Sequence, residues 1–138
     1  MSESLDRFIQ DLMTVWNSHD IDRAVKLYAL DYVGEDVARA IRHQGQAGIR
    51  KFISTYLAAF PDLEFAADEI VSDGDRAALM WTARGTHRGA IMNIPPTDRP
   101  IMIRGASLLT VKANLVHRAT YIWDLAGLLR NIGLLPEL

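Results

Sequence analysis

Two side chains in this sequence sit where they could move protons. Asp124 lies in YIWDLAGLLRNIGLLP, between an aromatic run and an amphipathic run. A carboxylate can take a proton from a carbon next to a carbonyl if burial raises its pKa toward the working pH. Tyr121, Ile122 and Trp123 are the neighbours that would desolvate it. Asp is equally a favoured helix N-cap, and Leu125 opens a helical period, so capping explains Asp124 without chemistry. A helix N-terminus also stabilises the anion, which opposes the effect of burial. His87 ends the run ALMWTARGTH, where Leu79, Trp81, Ala83, Gly85 and His87 share a parity. It therefore points where the apolar side chains point, as a candidate pocket donor. The alternative is a half-buried histidine bonded to backbone in the following NIPPT loop. Arg104 and Arg118 interrupt stretches that otherwise read as apolar strands. An inward arginine can hold an oxyanion or a substrate carboxylate, while the solvent face is its commoner place.

Other chemistries lack their residues. Cysteine is absent, which excludes disulfides, thiolate metal sites and cysteine nucleophiles. His19, His43, His87 and His117 are scattered without metal-ligand spacing, so no metal site is expected. There is no GxGxxG, Walker loop, HExxH or GxSxG. The formal net charge is −2, with both signs spread along the chain. That argues against a nucleic-acid partner and against binding to an anionic membrane. No apolar run approaches the length of a membrane span, and MSESLDRF does not read as a signal peptide. A cytoplasmic location is expected.

The elements that must position these residues are legible. The 138 residues suit one domain over 1–138, and 49% are apolar, enough for one core. Leu5, Phe8, Ile9, Leu12 and Trp16 follow helical spacing, with Ser2 or Ser4 as the cap. Asp20 should cap a second helix that buries Ile21, Ala24, Val25 and Tyr28. Residues 31–44 have mixed polarity and read as an irregular strand or loop, where Asp36 beside Glu35 is expected to be exposed. A third helix presents Ile49, Phe52, Ile53, Tyr56, Leu57 and Phe60 and stops at Pro61. The period then changes to alternation, predicting strands at about 63–72, 75–88, 100–112 and 115–123. SDGD marks a hairpin between the first two, and NIPPTDRP a loop between the second and third. A short helix closes the chain with Leu125, Leu128, Leu129 and Ile132 inward and Gly133 as its stop. Helices followed by an antiparallel meander make an α+β domain, which can enclose an apolar pocket. Trp16, Tyr28, Tyr32, Tyr56, Trp81, Met80, Met92 and Met102 are candidates for its wall. Met92 and Ile94, in the proline-rich loop, are expected to serve as an apolar lid.

The segments WNSHDIDRAVKLYALDYV, GQAGIRKFI, FPDLEF, GTHRGAIMNIPPTDRP and WDLAGLLRNIGLLP occur in a familiar order. The chain resembles the SnoaL-like polyketide cyclases of the nuclear-transport-factor-two-like superfamily. The resemblance implies a cone: three N-terminal helices packed on a curved antiparallel sheet, with an apolar pocket inside. It also implies homodimers or higher homo-oligomers, an apolar small-molecule ligand, and no metal or organic cofactor. The best-known members close a ring by intramolecular aldol condensation, and their acid/base aspartate corresponds to Asp124. The sequence departs from the family's pattern at Ala113-Asn114, at Asn131-Ile132-Gly133 and at Asp98, and VHRATYI lacks the strand glutamate. A weaker likeness, in LYALDYVGEDVARAIRHQGQAGIRKF, is to ketosteroid isomerases, whose proton-shuttling aspartate falls on Asp36. Their oxyanion-hole tyrosine falls on Leu12, so that reaction is not expected.

The functional expectation is a cofactor-independent acid/base enzyme of the cyclase type, acting on an apolar carbonyl compound. Asp124, His87 and Asp36 are its candidate catalytic residues, and Trp16, Tyr28, Tyr32, Tyr56, Trp81, Met92 and Arg104 its candidate binding residues. The alternative is a noncatalytic small-molecule-binding or dimeric interaction module on the same fold.

Overall fold

A computed structural model describes residues 2–137 of the chain. Helix α1 spans Ser2–Ser18. It forms where the periodicity places it, burying Leu5, Phe8, Ile9, Leu12, Val15 and Trp16 on one face. Ser4 lies inside this helix rather than ahead of it. Helix α2 is short, Ile21–Val25, and Asp20 caps it by accepting the Arg23 N–H at 3.1 Å. Tyr28, expected on its buried face, instead opens strand β1, Tyr28–Asp36. Strand β2, Ile41–Gln44, pairs back on β1. Helix α3, Gly45–Ala59, buries Ile49 and Ile53, and ends just before Phe60-Pro61.

The four later strands are β3 (Glu64–Asp73), β4 (Arg76–Thr86), β5 (Pro100–Lys112) and β6 (Leu115–Trp123). Helix α4, Leu125–Asn131, follows, with Leu128 buried and Gly133 at φ +86° beyond its end. The six strands form one curved, open sheet in the order β2-β1-β6-β5-β4-β3. All pairs are antiparallel except β1 with β6, which run parallel. The sheet is therefore more than the expected meander. Residues 31–44 supply two of its strands, and the α3 crossover and the meander separate β1 from β6, as a parallel pair requires.

The core lies between the concave face and the helices. Leu79, Trp81 and Ala83 of β4, Ile103, Ser107 and Leu109 of β5, and Ala119 and Tyr121 of β6 point inward. Gly105 is needed in this layer. A Cβ there would come within 2.4 Å of the Trp81 ring, which lies across β5. None of the helices among the described residues is long and apolar enough to cross a membrane.

Candidate functional site

The inward aromatics do not close on one another. They leave an apolar cavity of about 80 Å³, bounded by α1, α3 and the concave face of the sheet. Trp16, Tyr28, Phe52, Tyr56, Phe65, Trp81, Tyr121 and Trp123 contribute to its wall, with Leu12, Leu79, Ile103 and Leu109 between them. Phe52, Tyr56, Phe65 and Trp123 are only half-buried. Edge-to-face contacts lock the wall: Trp16 meets Phe65 at 5.5 Å, Phe65 meets Trp81 at 5.3 Å, and Tyr56 meets Trp123 at 6.1 Å between centroids. The indole N–H groups are satisfied inside it. Trp81 donates to Ser107 Oγ at 3.0 Å and Trp16 to the Tyr28 hydroxyl at 2.9 Å.

A carboxylate stands directly behind this wall. Asp36, at the end of β1, is 1% exposed. The parallel register pairs it with Tyr121 of β6. Two cavity-lining side chains hold it: Trp123 Nε1 donates to Oδ1 at 2.9 Å, and the Tyr56 hydroxyl donates to Oδ2. Among the described residues no cation lies within ion-pair distance of Asp36. Burial, with Asp36's hydrogen bond second, pushes the Tyr56 phenol far above its ordinary pKa. Tyr56 therefore stays protonated and remains a donor. Arg39, in the β1–β2 turn, lies over the Tyr56 ring at 5.8 Å.

The other phenols are also held neutral. Tyr28 is pushed up to about 12 by burial, partly offset by the hydrogen bond from Trp16. Tyr121 is raised well above its ordinary value, chiefly by burial. Its hydroxyl bonds that of Tyr32 at 2.9 Å, and Tyr32 bonds His43 Nε2 at 2.9 Å. No group of three or more His, Asp or Glu side chains converges among the described residues.

The sequence profile of the SnoaL-like polyketide cyclases matches residues 6–132. The chain belongs to the SnoaL-like polyketide cyclase family. Comparison with curated proteins finds none that matches significantly. Among solved structures, the chain is similar to AclR of Streptomyces galilaeus, a candidate hydroxylase. The TM-score is 0.87 at 24% identity, covering 100% of this chain and 90% of that one. It is similar to IdmH of Streptomyces antibioticus, a candidate polyketide cyclase, with TM-score 0.81 at 26% identity over 94% and 98% of the two chains. A Catenulispora acidiphila protein with a ketosteroid isomerase-like fold, in complex with trimethylamine, gives TM-score 0.80 at 17% identity over 93% of each chain. At 17% and 24% identity the likeness shows the fold alone.

Within this cyclase-family fold the expected site residues separate. Trp16, Tyr28, Tyr56 and Trp81 meet at the cavity. Tyr32 is fully buried one layer behind them, as a partner of Tyr121. Asp36, expected to be exposed, is instead buried, because β1 continues through it and turns it inward. Asp124 is exposed and does not line the cavity. Its Oδ1 accepts the Gly127 N–H at 2.8 Å as the N-cap of α4, and Oδ2 lies 3.8 Å from Arg130.

His87 is fully buried but does not line the cavity. Its Nδ1 accepts from the Thr97 N–H at 3.2 Å and meets the Thr97 hydroxyl at 3.0 Å, so it fastens the proline-rich loop. That loop packs on the end of α3, where Arg88 and Gly89 N–H groups donate to the Ala59 carbonyl. Met92 and Ile94 consequently lie away from the cavity wall, and the expected lid is not placed over it. Arg104 is exposed on the convex face of β5, since inward positions on that strand are odd-numbered. Sequence reasoning missed Phe52, Phe65, Ser107, Tyr121 and Trp123 as wall residues. The alternation Ala119, Tyr121, Trp123 along β6 was the available signal for the last two.

Proposed function

We propose that this protein is a cofactor-independent acid/base enzyme of the polyketide cyclase type, acting on an apolar, ring-bearing carbonyl compound, with Asp36 as the proton acceptor. One observation carries the reading: a fully buried carboxylate, without an ion-pair partner among the described residues, held at the cavity wall by Tyr56 and Trp123. Burying a carboxylate that has no counter-ion is costly. Each carboxylate oxygen retains lone-pair capacity beyond its one bond. The wall must give way for the reaction. The cavity, about 80 Å³, is well below the ~300–1,000 Å³ of a drug-sized site, so anything larger than one ring displaces half-buried aromatics. Tyr56 is the residue whose movement both enlarges the cavity and uncovers Asp36 Oδ2. Asp36 then removes a proton next to the substrate carbonyl. The resulting enolate carbon bonds to a second carbonyl carbon, and the proton returns to the new alkoxide.

The test is turnover of a small diketone that can cyclise by aldol closure. Asp36→Asn should lose it and Asp124→Asn should keep it, with circular dichroism showing both folded. The opposite pattern would restore Asp124 as the base. Retention in both excludes either aspartate as the base, and a wild type that does not turn the diketone over supports the second reading, a noncatalytic binding module, which is favoured by one feature: both Asp36 oxygens are already hydrogen-bonded within the protein.

The assembly we propose is a homodimer in the cytoplasm, formed through the convex face. Met80, Ala106 and Ile122 stand side by side across β4, β5 and β6 there, next to Leu108. On this face Glu64 stands beside Arg84, and Thr82, which donates to Asp68, stands beside Arg104.

A further inference from the structure

The half-buried histidine of the β1–β2 hairpin is unused in the reading above, yet it is wired to the cavity. His43 stacks on Phe52 at 4.6 Å, and its Nε2 bonds the Tyr32 hydroxyl, which bonds that of Tyr121, a wall residue. Gly34 makes the meeting possible. A Cβ there would come within 2.2 Å of the Tyr32 hydroxyl and 2.5 Å of His43 Nε2.

Counting protons gives this chain a direction. A neutral imidazole has one N–H and one lone pair. His43 Nδ1 is buried without a partner. An N–H placed there would be a stranded donor, the rarer and costlier orphan, so the proton belongs on Nε2. Burial, opposed by the weaker pull of the Asp36 charge, holds His43 below its ordinary pKa and keeps it neutral. Around it β1 presents Tyr32 and Asp36, β6 presents Tyr121, and α3 presents Phe52, with the Glu35–Arg42 pair on the strand's other side. Nε2–H therefore donates to Tyr32, and Tyr32 donates to Tyr121. At the other end Trp16, a donor only, gives its N–H to Tyr28, so that hydroxyl is already an acceptor. Tyr121 oxygen then receives from the protein, and its own proton is left for something in the cavity. Hydrogen bonds feeding an O–H in this way strengthen it as a donor.

We propose that Tyr121 is the hydrogen-bond donor to a ligand oxygen in the cavity, and that His43, acting through Tyr32, is the positioning residue that keeps the Tyr121 proton free for it. The occupant is then an apolar ring bearing a carbonyl or enolate oxygen. This rests on the proposed carbonyl substrate but not on Asp36 being the base.

The probe is isotope-labelled acetophenone, a single-ring ketone, followed by the infrared carbonyl stretch of the bound form. In the wild type the bound band lies at lower frequency than in an apolar solvent. Tyr121→Phe returns it to the apolar position and weakens binding about fivefold, the loss of one hydrogen bond. His43→Phe gives an intermediate position, because Tyr32 and Tyr121 then donate to each other in either sense. Tyr32→Phe does the same while leaving Tyr121 in place, and it serves if Tyr121→Phe does not fold. Asp36→Asn keeps the shifted band, so loss of turnover there with the shift intact separates the base from the donor. An unshifted wild-type band, a shift that survives Tyr121→Phe, or no ketone binding at saturation overturns the donor role. A His43→Phe band identical to the wild type overturns the positioning role.

Discussion

Three aspartates in this chain differ in what surrounds them rather than in kind. Asp20 and Asp124 accept backbone N–H groups at helix starts, whereas Asp36 accepts only from a phenol and an indole. Asp36→Asn is expected to lower turnover by about 10²–10⁴-fold, the usual worth of a positioned base, measured against an unchanged fold. Tyr56→Phe removes one donor to the carboxylate and should cost about tenfold to a hundredfold in kcat/KM. Asp124→Ala should leave turnover intact while lowering unfolding free energy by about 1 kcal/mol in urea titrations, the worth of an N-cap. Asp36 was hard to read because the residue that matters is polar and sits in a strand. Its neighbours Glu35 and Val37 are partly or fully exposed, so the local composition resembles a loop.

Strands β3 to β6 follow their expected bounds within two residues, and α1 and α3 bury the expected apolar faces, because most of each element keeps one period. Strand β1 breaks the rule. It carries an irregularity between Tyr28 and Val33 and leaves Leu30 84% exposed, so no clean alternation survives. The turns show similar tension. Ala113 and Asn114 take φ of +52° and +57° in the β5–β6 hairpin, a conformation alanine adopts poorly. Ala113→Asn should therefore raise Tm by about 2–4 °C in a calorimetric scan. Asp62, after α3, accepts the Thr86 N–H and hydroxyl, both at 2.7 Å, which holds its carboxyl below the ordinary range. A lowered folded-state pKa means that its stabilisation is complete above the ordinary carboxylate pKa and is lost as pH falls through the lowered one. Stability of Asp62→Asn should consequently fall less with acid than that of the wild type, in urea unfolding at stepped pH.

At the scale of the molecule the helices cover one sheet face and leave the other to solvent with Met80, Met102, Leu108 and Ile122 on it. If that face is the dimer interface, Ile122→Lys yields a monomer in sedimentation experiments and keeps the cavity intact. A wild type that sediments as a monomer at all concentrations would remove the interface. The α+β class, the last four strands and the membership of the cyclase family were all present in the order of residues. They depend on local periods and on motifs contiguous along the chain. The site was not. Asp36, Tyr56 and Trp123 come from three separate elements, and only the parallel pairing of β1 with β6 sets them side by side. That pairing joins residues some 85 positions apart, so no local pattern could announce it. The sequence alone determined which residues could do chemistry. The tertiary structure decided that Asp124 faces outward onto its helix and Asp36 faces inward, because burial is settled by the far ends of the chain that pack around each carboxylate.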